Sequence, residues 1–528
     1  MQASPARAKD KEGRMTEKRG YDTPAALYKM VPVDQALQVS SMRSETRTRT
    51  AEIHPTRLVS LTNPFLLLLG PPKVVLSEVA RSKPAVDCRI DESVGHVLAE
   101  DIEAKLPIPD KPLSIMDGFA VQAGDDSARF AVVGENRAGN VDEGIVVEQG
   151  LAAYITTGSP LPRGSNAVVM IEDTAVVSGG GEEGGDTLGG PKVIEIVGGG
   201  GSAVKTMAPG QNVRQVGSDM ALGEVVLVQG KVIQPADVGI LASLGVSHVR
   251  VFAKPTAAFM STGDEVVDIG SASGGAEAGS GKGKHQIFDA NRPVLCACAK
   301  SLCSRVIDLG IAGDTQERLE SLFSLAMEAK ADVLVTSGGV SMGDSDLIKP
   351  ILEQKGKVYF GKVLMKPGKP LTFATIQGAE GKGAGHKLLV FGLPGNPVSS
   401  FVTFNLVVLP ALRKLGGWRD PHLRRISVKL GSDIKMDPRR PEYHRVVLTW
   451  PEVQPFAVQA AGDGHPDNGA GGGGSATVLV AQSTGFQRSS RLVSLRDACA
   501  LVEVPQGSGH IPKGSIVSAL LIGDLPLL

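Results

Sequence analysis

Two glycine-rich strings could bring main-chain amides against an anion. One is Ser337-Gly338-Gly339-Val340-Ser341-Met342-Gly343-Asp344, after the apolar run 331–336; the other is Gly392-Leu393-Pro394-Gly395-Asn396-Pro397-Val398-Ser399-Ser400, after 387–391. Glycines let N–H groups crowd a ligand, serines add hydroxyl donors, and a helix start after the loop adds partial positive charge. A third junction, after Ser261, carries the acids Asp264 and Glu265. One glycine loop can be an ordinary tight turn, but three at comparable junctions favour a ligand cleft. Lys362, Lys366 and Lys369 fall close together, interleaved with Pro367, Gly368 and Pro370. They read either as a solvated loop or as a cationic wall for phosphates or an oxoanion, with prolines stiffening the lysine stems. Asp264, Glu265, Asp289, Asp344 and Asp346 offer oxygen ligands for Mg²⁺, which takes carboxylates together with substrate phosphates. Lysines, acids and glycine loops together describe phosphoryl or nucleotidyl chemistry.

The elements that must hold these residues have a clear rhythm. Over 255–416, strand-like runs, glycine-rich turns and helical runs alternate, the pattern of a parallel α/β sheet covered on both faces. Strands are expected at 256–261, 306–311, 331–336, 358–364, 371–376 and 387–391. Helices are expected over 291–306, from an Asp314 cap to Lys330 with Leu319, Leu322, Phe323 and Ala326 on one face, around 346–354, and after GLPGNP to 415. In open α/β sheets, ligands sit at the carboxyl ends of strands. Before this region, short β runs over 114–213 suggest a small β domain. Residues 86–113 and 214–254 form an elongated linking domain, with helical spacing expected over 93–102 and a helix at 235–243. After it, 417–528 returns to β alternation and reads as a barrel-like β domain. The fold class is thus α/β plus β, multi-domain, with residues 1–85 a poorly assigned tail and insertion.

Composition bounds the function. The 528 residues suggest three or four domains at roughly 150 residues each. Lys+Arg 55 against Asp+Glu 56, a net charge of -1, argues against a general nucleic-acid binder. Five cysteines cannot frame a disulfide scaffold, which points to a reducing compartment, and we expect a cytoplasmic protein. No membrane span is expected: the uninterrupted run 65–69 is far short of the ~20 residues that cross a bilayer. The first 60 residues hold 11 Lys+Arg but also 7 Asp+Glu, against an organelle leader. Gly is 65 residues while aromatics are 4%, and the excess gathers in patches at 179–201, 270–283, 378–385 and 462–474 that read as expanded loops.

Two constellations carry no chemistry by their spacing. Cys296, Cys298 and Cys303 lack zinc spacing and a nearby histidine, so they read as small core residues. His444 has no visible nucleophile partner and reads as a strand residue or subunit contact. The chain has no Walker A loop.

The strings SIMDGFAV, NAVVMIEDT, STGDE, DANRP, TSGGVSMGDSD, KVLMKPGKPLTFA, FGLPGNPVSSF and DPRRPEYHR occur in this order. Together they resemble the molybdenum insertase family, which includes bacterial molybdopterin molybdenumtransferase, the E domain of gephyrin and its plant counterpart. The resemblance spans residues 86–522 apart from the glycine patches. It implies that adenylylated molybdopterin and molybdate yield molybdenum cofactor and AMP. TSGGVSMGD resembles the loop holding the phosphate end of the pterin dithiolene, which implicates Ser337, Gly338, Gly339, Ser341 and Asp344. The lysines Lys362, Lys366 and Lys369 would counter phosphate and molybdate charge. Asp289 would serve Mg²⁺-dependent cleavage of the adenylyl bond, with Asp264 and Asp344 as further metal ligands and Glu265 beside them. Ser399 would help hold molybdate, next to Pro394, Gly395 and Asn396. Asp117, Thr157 and Asp219 would reach the cleft from a neighbouring subunit, since the family is a homodimer. TSGGVSMGD occurs once, which implies a separate molybdopterin adenylyltransferase as partner, and molybdoenzymes would receive the product. Residues 33–37 resemble the family's start, but the stretch from 38 to 85 has no counterpart in the resemblance. The rival readings are an anchoring protein of gephyrin type and a nucleotide pyrophosphate hydrolase of related fold.

Overall fold

The unbroken apolar runs in the middle of the chain are strands covered on both faces, where alternation disappears. The computed structural model describes residues 70–79, 82–178, 192–197, 207–269, 285–340, 347–378, 385–451 and 478–523. The glycine patches, Ser341, Asp344 and Asp346 lie, in whole or in main part, outside these. The described chain divides into two compact units, residues 1–86 with 252–528, and residues 87–251.

The first unit is built on a six-stranded sheet of β1 (Thr256–Thr262), β2 (Arg305–Ala312), β3 (Val333–Ser337), β4 (Lys357–Phe360), β5 (Thr372–Gln377) and β6 (Lys387–Leu393), in the order β2-β1-β3-β6-β5-β4. β2, β1, β3 and β6 are parallel, whereas β5 runs antiparallel both to β6 and to the edge strand β4. The sheet is therefore mixed, with the expected parallel arrangement in its four strands β2, β1, β3 and β6. No helix lies between β4 and β5, and only nine residues separate β5 from β6, fewer than a parallel crossover needs, so these consecutive strands pair antiparallel.

Strand periodicity sorts the core into two layers. Ala257, Phe259, Val333, Val335, Leu389 and Phe391 point to one side, and Ala258, Met260, Leu334, Leu388 and Val390 to the other. The first layer is covered by α1 (Gly70–Glu78) through Val75, with Val79 just after it, by α2 (Asn291–Ala299) through Leu295 and Ala299, and by a long helix that follows β6. The second is covered by α3 (Gln316–Glu328) through Leu319, Leu322, Phe323 and Ala326, and by α4 (Ile348–Lys355) through Ile348, Ile351 and Leu352. Each such buried side chain contributes about 1.5–3 kcal/mol.

α2 ends before the expected 306, because the chain must turn to start β2 at Arg305. α3 starts from Thr315, and Asp314 does not cap it. α1 lies inside the stretch expected to have no family counterpart, yet Val75 is fully buried and the Lys414 ammonium donates to Leu76 O at 2.7 Å. The long helix α5 (Pro397–Leu415) is interrupted by a π-turn over Phe404–Val408, next to Pro410, whose missing N–H breaks the regular ladder. By length and composition α5 could cross a membrane, but 72% of its most apolar window is buried inside the fold, so it is a core helix.

The C-terminal strands close a barrel of β7 (Arg425–Leu430), β8 (Glu442–Thr449), β9 (Val480–Ser483), β10 (Ala500–Val504) and β11 (Ile516–Leu521), in the order β7-β9-β8-β10-β11. Closure removes the exposed edges that an open sheet would carry.

The unit 87–251 holds a six-stranded sheet around Phe119, Val121, Phe130, Val169 and Ile194. Leu113–Ser114 pairs with Val213–Arg214, and Ile102–Glu103 with Val225–Leu227. The helix Pro235–Ser243 is as expected, with Gln234 and Asp237 forming a reciprocal capping box. The helix expected over 93–102 is absent. Gly95 takes φ +79, and Val97 and Leu98 make β-bridges to Val232 and Val251, leaving Val94 46% exposed.

Candidate functional site

The parallel register sets three carboxyl ends side by side. Ser261 of β1 pairs with Ser337 of β3, and Ser337 pairs with Leu393 of β6. A cavity of about 660 Å³ opens at these ends. One wall is Ser337, Gly338 and Gly339, another is Pro394, Gly395, Asn396 and Pro397, and a third carries Thr262, Glu265 and Asp314. Gly338 N donates to Leu393 O at 3.0 Å, with φ +91 at Gly338. A Cβ there would stand 2.7 Å from Thr262 Oγ1, so only glycine lets the turn sit against β1.

Asn291, at the start of α2, ties two walls together: its Nδ2 donates to Ser337 Oγ at 2.6 Å and to Gly395 O at 2.7 Å. Asp289, just before it, is 3% exposed and also faces the cavity. Its Oδ1 accepts from the main-chain N–H groups of Asn291 and Arg292, and its Oδ2 accepts from Arg292 Nε at 3.0 Å. The same guanidinium pairs with Asp268 and Asp308. Ser261 lines the cavity, and its buried hydroxyl has no hydrogen-bond partner among the described residues. Such an orphan is the place where a ligand oxygen gains most.

Carboxylates crowd the third wall. Asp314 N donates to Asp264 Oδ1 at 3.0 Å, and burial, then the Asp264 and Glu265 charges, push the Asp314 carboxyl above its ordinary range. Excess negative charge of this kind is the donor chemistry a hard dication takes. Among the described residues, no group of three His, Cys, Asp or Glu side chains is gathered as a metal centre.

The lysines stand away from the lining, although Pro370 belongs to it. Burial, then Lys349 and Lys369, lower the pKa of Lys362. Lys366 is an ion-pair partner: its Nζ lies 2.8 Å from Glu442 Oε2 and 3.4 Å from Asp437 Oδ2. Burial works against its charge, but Glu442 and Asp437 outweigh it and hold Lys366 above the usual lysine range. Ser399 is buried in the first turn of α5, outside the lining.

Asp117, Thr157 and Asp219 belong to the other unit. There Thr157 N and Oγ1 both donate to Asp117 Oδ1, at 2.6 and 2.9 Å, and the backbone bond, then the hydroxyl, lower the Asp117 pKa. Asp219 pairs with Arg214. Ser341 and Asp344 lie outside the described residues.

Asn291, Ser261, Thr262, Asp314 and Ser490 line the cavity without having been singled out in the sequence. Asn291 could have been found within DANRP, one residue after the alanine that follows Asp289. Ser490 comes from the C-terminal region, where nothing local marks it. The cysteines behave as core: Cys296, Cys298 and Cys303 pack in the first layer, and burial pushes Cys303 up to about 12 and Cys296 to about 11. His444 is a buried strand residue of β8.

Three family profiles match in chain order: the MoeA N-terminal region (domain I and II) over residues 69–245, a probable molybdopterin binding domain over 258–414, and the MoeA C-terminal region (domain IV) over 475–522. The first begins inside the stretch 38–85, at the foot of α1. Gephyrin of Dictyostelium discoideum is 37% identical over 472 residues, which is 83% of this chain and 59% of that protein. The chain thus spans less than two thirds of that relative's length. Molybdopterin molybdenumtransferase of Haemophilus influenzae is 35% identical over 337 residues, 63% of this chain and 74% of that one. The solved MoeA molybdopterin biosynthesis protein of Pyrococcus horikoshii superposes with a TM-score of 0.63 at 25% identity, covering 86% of this chain and 99% of that structure.

Proposed function

From a chain that belongs to the molybdopterin molybdenumtransferase family of molybdenum cofactor biosynthesis, we propose that it inserts molybdate into adenylylated molybdopterin and releases AMP. The carrying observation is the cavity at the carboxyl ends of β1, β3 and β6, with glycine-bearing loops on two walls, carboxylates on the third and the Ser261 hydroxyl facing in. Water cleaves the phosphoanhydride bond to the adenylyl group, giving AMP and the free pterin phosphate. The two dithiolene thiols bind the molybdenum of molybdate while their protons leave with one displaced molybdate oxygen as water.

In this reading Gly339 holds the phosphate end with its main-chain N–H. Gly338, whose own N–H is spent on Leu393 O, brings the loop close to the ligand, and Ser261 supplies its hydroxyl. Asn291 keeps the two glycine loops at a fixed separation, so the ligand meets a preorganised wall. Asp289 and Asp264, with Asp344, would hold Mg²⁺, which supplies charge neutralisation at the phosphates. Arg292 fixes the Asp289 carboxylate. Lys362, Lys366 and Lys369 act as the cationic side toward phosphate and molybdate, with Ser399 near the molybdate end. Asp117, Thr157 and Asp219 act from the second copy of a homodimer in the cytoplasm. A separate adenylyltransferase supplies the substrate, and molybdoenzymes take the product.

The test is an assay with adenylylated molybdopterin, Mg²⁺ and molybdate, following AMP release and reconstitution of a molybdenum-dependent apo-enzyme. Both signals, dependent on molybdate, sustain the proposal. AMP without active cofactor makes the chain a hydrolase, and neither signal leaves an anchoring role.

A further inference from the structure

Lys366 is held more completely than a solvated lysine would be. Its main chain forms a bridge with β8: Lys366 N donates to Pro441 O at 2.9 Å, and Tyr443 N donates to Lys366 O at 2.8 Å. Its ammonium then meets the Glu442 carboxylate, 4% exposed, through Oε2. The other oxygen, Oε1, lies 3.1 Å from Nδ1 of His444, which is 8% exposed. Residues 442 and 444 point to the same side of β8, as strand periodicity requires. Nε2 of His444 lies 2.9 Å from Ser483 Oγ at the end of β9. Four side chains from the lysine loop and two barrel strands thus form one hydrogen-bonded row, Lys366–Glu442–His444–Ser483.

We propose that Glu442 and His444 are positioning residues for Lys366, aiming its ammonium at the oxyanion substrate. The proposal rests on the reading of Lys366 given above. A lysine loses much rotamer entropy when ordered, and a ligand that must order it pays that cost on arrival. Glu442 removes the cost in advance, because both of its oxygens are spent and it cannot swing away. His444 fixes Glu442 from behind, and Ser483 fixes the ring. An ammonium has three donors; Glu442 and Asp437 occupy two, which leaves one direction for a ligand oxygen. The other charges near this row are Arg440, 3.9 Å from Asp437, and Arg445, which feels the Glu442 charge but is tied to Ser494 Oγ and Arg488 O.

The experiment is calorimetric titration of molybdate alone into the full chain and its variants, with melting temperatures alongside. Lys366→Ala and Glu442→Gln should each weaken binding about tenfold, the scale of one charge-assisted hydrogen bond. The double variant should be no weaker than Lys366→Ala, since Glu442 acts only through the lysine. His444→Ala, a second route into the same row, should follow Glu442→Gln and be equally silent in the Lys366→Ala background. His444→Gln, which retains a donor, should recover most of the loss. Additive losses in the double variants would overturn the proposal, as would full affinity in Glu442→Gln while Lys366→Ala is weakened. Full affinity in Lys366→Ala would instead overturn the underlying reading of that lysine.

Discussion

Asn291 reaches from the first turn of α2 to Ser337 Oγ, 2.6 Å away, and with the same nitrogen to Gly395 O at 2.7 Å. One side chain therefore sets the spacing of the two glycine loops that face each other across the cavity. Asn291→Ala removes both bonds and should cost about 1–2 kcal/mol, at about 1 kcal/mol per hydrogen bond. The loops should then order only on binding, so KM rises more than kcat falls. Denaturant unfolding beside steady-state kinetics checks both parts, and an unchanged KM would remove Asn291 from ligand positioning.

Gly338→Ala tests the other side of the same wall. The residue has φ +91, and an added Cβ would meet Thr262 Oγ1 at 2.7 Å and Thr262 O at 2.9 Å. Left-handed strain and overpacking together should cost about 2–4 kcal/mol. Because Thr262 belongs to β1 itself, relief must come from the loop, which moves the amides meant for the ligand. Urea midpoints and substrate affinity should fall together.

Asp289→Asn separates chemistry from scaffolding. The carboxylate holds Arg292 and receives two main-chain N–H groups at the start of α2. Breaking a buried pair typically costs ~3–5 kcal/mol, but Asp268 and Asp308 remain on the same guanidinium, so about 1–3 kcal/mol is expected here. AMP release should stop altogether, because an amide cannot replace the metal-binding carboxylate. Folded protein, seen by circular dichroism, with turnover intact would take Asp289 out of the mechanism.

Much of this was legible in the sequence because the signals were local. Unbroken apolar runs marked the buried strands, and Leu319, Leu322, Phe323 and Ala326 marked the inner face of α3, all buried in the structure. The glycine strings marked two cavity walls. What escaped was set by distant partners. Val97 and Leu98 have helical spacing, yet each finds a bridge partner more than a hundred residues away in Val232 and Val251. The antiparallel β5 depends on what it pairs with, which its own residues do not encode. Lys366 read as a bare cation because Glu442 and Asp437 lie far along the chain, and His444 acquired its partner, Ser483, only when the barrel closed. α1 escaped because nine residues amid a stretch without motif carry too little pattern.

That helix is nonetheless part of the core. Val75 is fully buried, Val79 is 2% exposed, and Lys387 pairs with Glu78. Val75→Ala should cost about 1.5–3 kcal/mol, the lost transfer energy plus a small cavity. Lys73→Ala, on the exposed part of the same helix, should cost almost nothing. Equal stability for both variants would show that α1 does not contribute to the folded core.

Acid stability gives a separate handle on Glu442. Burial alone would raise its pKa, but the bonds from His444 and Lys366 outweigh this and hold it below the ordinary 4.5. A carboxyl whose folded pKa is depressed stabilises the fold above its unfolded value, and the contribution is lost as pH falls through the folded value. Wild-type stability should therefore drop as pH is lowered from 4.5, where the unfolded chain begins to take up the proton that the folded chain refuses. Glu442→Gln cannot titrate, so its unfolding free energy should start lower at neutral pH and fall less steeply through this window. Urea midpoints from about pH 6 to about pH 3.5 measure the two slopes. Parallel curves would mean that the Glu442 charge is as comfortable in the unfolded chain as in the row that holds Lys366.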